Sequence, residues 1–167
     1  MLWDSDRASV ADLIEVQEGR SPVPLLGDAE IAELLRRRPR IAIVGASPQP
    51  YRASNGVMHN LIRLGYDVVA VNPSVAEVDG LPCYPTLAKA VEATGPVDVV
   101  DVFRRADQCV PHAREAVEVG ANVLWLQLGI ANLEAGRIAH EAGLQVVMDR
   151  CTSIEAGRLA ARGPAGG

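Results

Sequence analysis

Short runs that are apolar at almost every position recur along this chain, and most are followed by a helix-patterned stretch that stops at a glycine. Arg40 to Val44 is the first such run and ends at Gly45; Asp67 to Val71 ends at Asn72-Pro73; Val97 to Phe103, Asn122 to Leu126 and Leu144 to Met148 repeat the pattern. Between them, helical periodicity begins near Ser54 (Val57, Met58, Leu61, Ile62, stopped by Gly65). It returns after Thr86, from Asp107 to Val119 before Gly120, and from Asn132 to Ala142 before Gly143. A strand apolar on both faces has no side to give to water, so it belongs in a parallel sheet covered on two surfaces. Because the crossovers are right-handed, helices reach both surfaces only if the chain returns to its first strand and winds the other way. The predicted fold class is therefore α/β, a three-layer doubly wound parallel sheet of about five strands in a single domain. Leu81 to Tyr84, after a turn at Asp79-Gly80, reads as an extended piece outside that count.

At 167 residues the chain has the usual size of one domain. Aromatic residues make up 4% against 15 glycines, so the core must be packed from Val, Ile, Leu and Ala. Residues 1–24 read as a helical appendage (Ser9 to Gln17, then the breaker Ser21-Pro22-Val23-Pro24), 25–162 as the domain, and 163–167 as a disordered tail. Asp28 is a plausible N-cap for a helix ending in Arg36-Arg37-Arg38, and Thr152-x-x-Glu155 reads as a capping box for the last helix.

A net charge of -5 gives no general attraction to nucleic acid or acidic lipid, and no apolar run is long enough to span a membrane. The three cysteines, Cys83, Cys109 and Cys151, are widely spaced without a metal-binding pattern, which fits a reducing cytoplasm.

Ligands of doubly wound sheets lie outside the carboxyl ends of the strands, where the winding reverses. That crevice is expected between the strand ending at Gly45 and the one ending at Phe103. Gly45-Ala46-Ser47-Pro48, ahead of a helix, offers a tight turn with exposed amides for a phosphate, and Arg52 adds a guanidinium. A dinucleotide site normally carries Asp or Glu at the second strand end for the ribose; this chain has Asn72-Pro73. Phe103-Arg104 brings an aromatic face and a cation, while Gln127 and Gly129 supply a neutral amide and open backbone.

Trp125 alternates into the core, and Asp101, inside a strand, reads as structural. His59, His112 and His140 fall on helices away from the strand ends. Cys151, beside Arg150, is the one nucleophile candidate, although a small buried filler is the favoured reading. No catalytic triad, paired carboxylates or metal cluster can be assembled.

Taken together, the strand ends Ile43 to Pro48, Arg52-x-Ser54, Val71-Asn72-Pro73, Val97 to Arg104, Trp125-x-Gln127-x-Gly129 and Met148 to Cys151, with the turn at Gly80 and Tyr84, resemble a known family. This is the small stand-alone CoA-binding proteins, single Rossmann-like domains similar to the N-terminal domain of the succinyl-CoA synthetase α subunit. The likeness covers residues 28 to 160. It implies that Gly45, Ala46, Ser47, Pro48 and Arg52 hold the phosphates of CoA, with Ser54 at the helix start. Val71, Asn72 and Pro73 would flank its nucleotide part, and Val102, Phe103, Arg104, Gln127 and Leu128 would line the path of the pantetheine arm. The larger ligases place a lysine shortly after the proline of the second strand end, where this chain has Val75. Their acyl-CoA chemistry uses a second domain for which this chain leaves no room.

The expectation is binding of CoA or an acyl-CoA without catalysis. The alternatives are an NAD(P)-linked oxidoreductase or redox sensor on the same fold, and a subunit presenting CoA to a partner acyl-CoA enzyme. A homodimer stays open.

Overall fold

The computed structural model describes residues 2–163, so all of the tail expected to be disordered except Gly163 lies outside the described residues. The elements run α1 (Leu2–Gln17), α2 (Asp28–Arg36), β1 (Ile41–Val44), α3 (Ala53–Arg63), β2 (Val68–Val71), β3 (Glu77–Val78), β4 (Leu81–Tyr84), α4 (Leu87–Thr94) and β5 (Val99–Val102). A 3-10 turn (Ala106–Gln108) leads into α5 (Cys109–Glu118), then β6 (Val123–Leu126), α6 (Leu133–Glu141), β7 (Gln145–Val147) and α7 (Thr152–Ala161). The strands form one sheet in the order β3-β4-β2-β1-β5-β6-β7. Every pairing is parallel except that of β3 with β4. The α/β, doubly wound expectation is met, with β1 at the centre and the winding reversing between β1 and β5.

The strand count is seven, not five. Leu81–Tyr84 joins the sheet through the Ala70–Cys83 and Val71–Tyr84 register, and β3 folds back on it across the Asp79-Gly80 turn. A two-residue strand has no periodicity to detect, and Pro82 is tolerated in β4 because the amide that donates toward β3 is that of Cys83, to the Ala76 carbonyl at 2.9 Å, while the ladder to β2 begins only at Cys83.

The strict alternation of side chains on each strand builds two cores. Ala42, Val44, Val100, Val102, Leu124 and Leu126 face the layer of α4, α5 and α6. Ile41, Ile43, Val99, Val123 and Trp125 face the layer of α2, α3 and α7. All of these strand residues are buried, and burial of one Val, Ile or Leu side chain stabilises by roughly 1.5–3 kcal/mol. Trp125 is fully buried, as expected, and its indole N–H donates to the Arg150 carbonyl at 2.7 Å.

Helix α1 lies against the first of these layers: Leu13 and Val16 pack on the core, and the Asp12 carboxylate accepts from the Leu133 amide at the start of α6, 2.9 Å. Helix starts differ from the sequence reading: Arg52, not Ser54, is the N-cap of α3. Gly27, not Asp28, is the N-cap of α2, and Cys151, not Thr152, precedes α7 without a side-chain cap. The Thr152-x-x-Glu155 box does not form. The Thr152 hydroxyl turns inward to Asp101, and Glu155 pairs with Arg150 and Arg158 instead.

Candidate ligand-binding site

At the carboxyl edge of the sheet, where the winding reverses, β1 and β5 end side by side. Gly45 has φ +92°, and a Cβ there would stand 2.6 Å from the Phe103 carbonyl oxygen, so only glycine permits this approach. The Asn72 side chain braces the turn from the β2 side: its Nδ2 donates to the Ala46 carbonyl at 2.7 Å and its Oδ1 accepts from the Ser74 amide at 2.8 Å. The Asn55 amide does the same from α3, donating to the Ser47 carbonyl at 2.9 Å and to Asp79 at 2.8 Å. His59 shares the same Asp79 oxygen at 2.7 Å, and these two partners, His59 first, hold the Asp79 carboxyl below its ordinary range.

Above this turn lies a cleft of about 450 Å³ lined by Gly45, Ser47, Arg52, Ser54, Asn72, Phe103, Arg104, Gln127 and Leu128 from the sequence-derived set. Five other members of that set do not line it. Ala46, Val71 and Val102 are buried in the floor, while Pro48 and Pro73 shape the two turns. The turn's amides also differ from expectation. Those of Gly45 and Ala46 both donate to the Val71 carbonyl, at 2.9 and 3.2 Å, because they continue the parallel ladder to β2. An anion here therefore meets the Ala53 and Ser54 amides at the start of α3, that of Asn55 already donating to the Arg52 carbonyl at 3.1 Å, and the guanidinium of Arg52.

Gln49, Tyr51, Arg105 and Ile130, outside the sequence-derived set, complete the lining with Ala53. Tyr51 is 78% exposed, and the Arg52 guanidinium sits 5.7 Å from its ring centre. The only sequence signal for it is an aromatic inside the loop that already carried Arg52. Three arginines and no carboxylate line the cleft, in a chain of net charge -5. Arg105 pairs with Asp107 at 3.4 Å, whereas Arg52 and Arg104 have no carboxylate partner among the described residues. The cleft is a positive spot on an acidic protein.

A profile of the CoA binding domain matches residues 39–157. The chain belongs to this family. It is 40% identical over 126 residues to the uncharacterized protein YneT of Bacillus subtilis, covering 75% of this chain and 91% of that one. A hypothetical protein from Pyrococcus horikoshii OT3 superposes with a TM-score of 0.75 at 41% identity, over 81% of this chain and 93% of that one. An ADP-forming acetate–CoA ligase of Archaeoglobus fulgidus is 31% identical over 101 residues, which is 60% of this chain but 15% of the ligase.

In this CoA binding domain the far end of the cleft is neutral. Gln127 is 6% exposed, and its Nε2 donates to Asp101 Oδ1 at 2.7 Å and to Thr152 Oγ1 at 3.0 Å. The Thr152 hydroxyl donates in turn to Asp101 Oδ2 at 2.7 Å. Both amide hydrogens are thus committed below, and Oε1 is the atom Gln127 presents to a ligand, so that ligand must donate. Asp101 is completely buried. Burial pushes its carboxyl up to about 7, against the opposing pull of the Gln127 and Thr152 hydrogen bonds.

The rest of the chain's reactive groups stand elsewhere. Cys109 is buried, which together with the Asp107 charge pushes its thiol up to about 12. Cys151 is half-buried at the start of α7, and the neighbouring Arg150 guanidinium is turned to Asp28 and Glu155. His112 pairs with Glu115 on α5. Among the described residues no group of His, Cys, Asp and Glu could hold a metal ion, and no helix is long and apolar enough to cross a membrane. Val75 packs against the apolar core, so no cation replaces the ligases' lysine at that position.

Proposed function

We propose that the protein binds CoA or an acyl-CoA in the cleft at the β1/β5 crevice. The observation that carries this reading is the division of one cleft into two chemistries. Arg52 and Arg104, with no carboxylate among the lining residues, stand at the β1 and β5 ends, and an uncharged stretch of Gln127 and Leu128 continues past β6. CoA has that polarity. Its anionic 3′-phospho-ADP suits the arginines and the open amides of α3. Its pantetheine arm is neutral and carries amide N–H groups, which match an acceptor such as Gln127 Oε1. Tyr51, exposed at the rim, offers a face on which an adenine stacks.

A nicotinamide dinucleotide fits less well. The β2 end presents Asn72, whose oxygen and nitrogen are both engaged within the turn, where a ribose would need a free carboxylate. No carboxylate, histidine or cysteine lines the cleft, so the reading is one of binding. Calorimetric titration with CoA and, separately, NADH is the test. Saturable binding of CoA with no heat from NADH supports the reading; absence of CoA binding, or preference for NADH, overturns it.

A further inference from the structure

A second and larger cavity, of about 760 Å³, adjoins the cleft, and Leu128 is a wall of both. It lies at the end of β7, between the start of α7 and the segment that follows α1, with Val16, Val23, Leu25, Leu26, Met148 and Ile154 as its apolar lining. Its volume is within the usual range of small-molecule sites. Two large apolar side chains on its border are left facing water, Leu128 at 62% and Ile154 at 46% exposure.

The strand order fixes which end of a ligand reaches it. Along the carboxyl edge the sequence in space is β1, β5, β6, β7. A ligand whose phosphates lie at the β1 turn and whose neutral arm crosses Phe103 and Gln127 arrives beyond Leu128 with its far end. For CoA that end is the thiol, the atom that carries an acyl group. The charged groups around the cavity already have partners. Arg150 pairs with Asp28 and Glu155, and Arg158 pairs with the same Glu155 at 2.9 Å. Asp149 accepts from the Gly129 amide at 2.7 Å and from Gln17 at 3.3 Å. No cation is left over for a carboxylate, while apolar surface is.

We propose that this cavity receives the acyl group of an acyl-CoA and that the group is an uncharged hydrocarbon chain. The proposal rests on the reading of the adjoining cleft as a CoA site. The test is calorimetry with CoA, butyryl-CoA, hexanoyl-CoA and succinyl-CoA on the full chain. Each methylene that enters the cavity should tighten binding about fourfold, so hexanoyl-CoA should exceed CoA by tenfold or more, and succinyl-CoA should not exceed CoA. Ile154→Asp, on a side chain already half in water, should flatten the series while CoA itself still binds, which also shows that the variant is folded. Equal affinity for CoA and hexanoyl-CoA, or preference for succinyl-CoA, overturns the acyl proposal and leaves the CoA reading intact. Failure of every thioester and of CoA overturns both.

Discussion

The missing side chain of Gly45 is what allows β1 and β5 to end in contact: a Cβ on Gly45 would press to 2.6 Å from the Phe103 carbonyl oxygen. The floor of the cleft depends on this approach, so Gly45→Ala should destabilise the fold and disturb ligand binding together. Backbone strain at φ +92° alone costs about 1–3 kcal/mol, and the clash with rigid backbone adds to it. Gly80→Ala is the matched control, since Gly80 has φ +90° with nothing within 4 Å of the added carbon. Urea denaturation should show Gly45→Ala losing clearly more stability than Gly80→Ala. Equal losses would mean that the contact with Phe103 is immaterial.

Arg52 and Arg104 should account for most of the attraction to an anionic ligand, because they are the cleft's arginines without a carboxylate partner among the described residues. Removing one charge-assisted hydrogen bond costs about 1.5–3 kcal/mol, or about tenfold to a hundredfold in affinity. Arg52→Ala and Arg104→Ala should each weaken CoA by that amount, with little change in stability. Arg63→Ala, at the other end of α3, should leave binding unchanged. Affinity should also fall as salt is raised, and less steeply in the two variants.

The architecture and the crevice were legible because the signals were local. Apolar strands, glycine stops and strand-end residues such as Gly45, Arg52, Phe103 and Gln127 carry their information in a few adjacent positions. What was not legible depends on partners distant in the chain. The Thr152 hydroxyl had the spacing of a cap, but a carboxylate 51 residues away takes it. Gly45 and Ala46 had the look of free donors until β2 supplied an acceptor. The second cavity is built by residues 16 to 26 folding onto α7, a juxtaposition with no short-range signature; β3 is the local exception, missed because two residues show no alternation.

Asp101 makes the stability of the protein depend on pH in a direction opposite to that of a salt-bridged carboxylate. Its folded pKa is raised to about 7 from 3.8, so the folded state holds the proton more tightly than the unfolded state. This group's contribution to stability therefore falls as pH rises from about 4 to about 7, by at most roughly 1.4 kcal/mol per unit. Asn at this position is uncharged at every pH, its Oδ1 still accepting from Gln127 while the Thr152 hydroxyl turns from donor to acceptor toward its Nδ2. Asp101→Asn should remove that slope and gain on the wild type as pH increases. Denaturation midpoints at pH 5 and pH 8 test this. A wild type and variant with parallel pH profiles would show that Asp101 is not the group responsible.

The Asp12 carboxylate reaches across from α1 to the Leu133 amide, one of the donors that the start of α6 leaves without a helical acceptor. Asn132 satisfies a second one, accepting from the Ala135 amide at 2.9 Å, so the two side chains together close the N-terminus of α6. Asp12→Ala should cost about 1 kcal/mol, the usual value of a cap, although the residue lies 121 positions from the helix it serves. The same change frees α1, whose Val16 and Gln17 wall the larger cavity. Hydrogen exchange should then accelerate at the amides of residues 10–17 and of the first turn of α6, and leave those of β1 and β5 unaltered. Faster exchange confined to α6 would mean that α1 stays docked through Leu13 and Val16 alone.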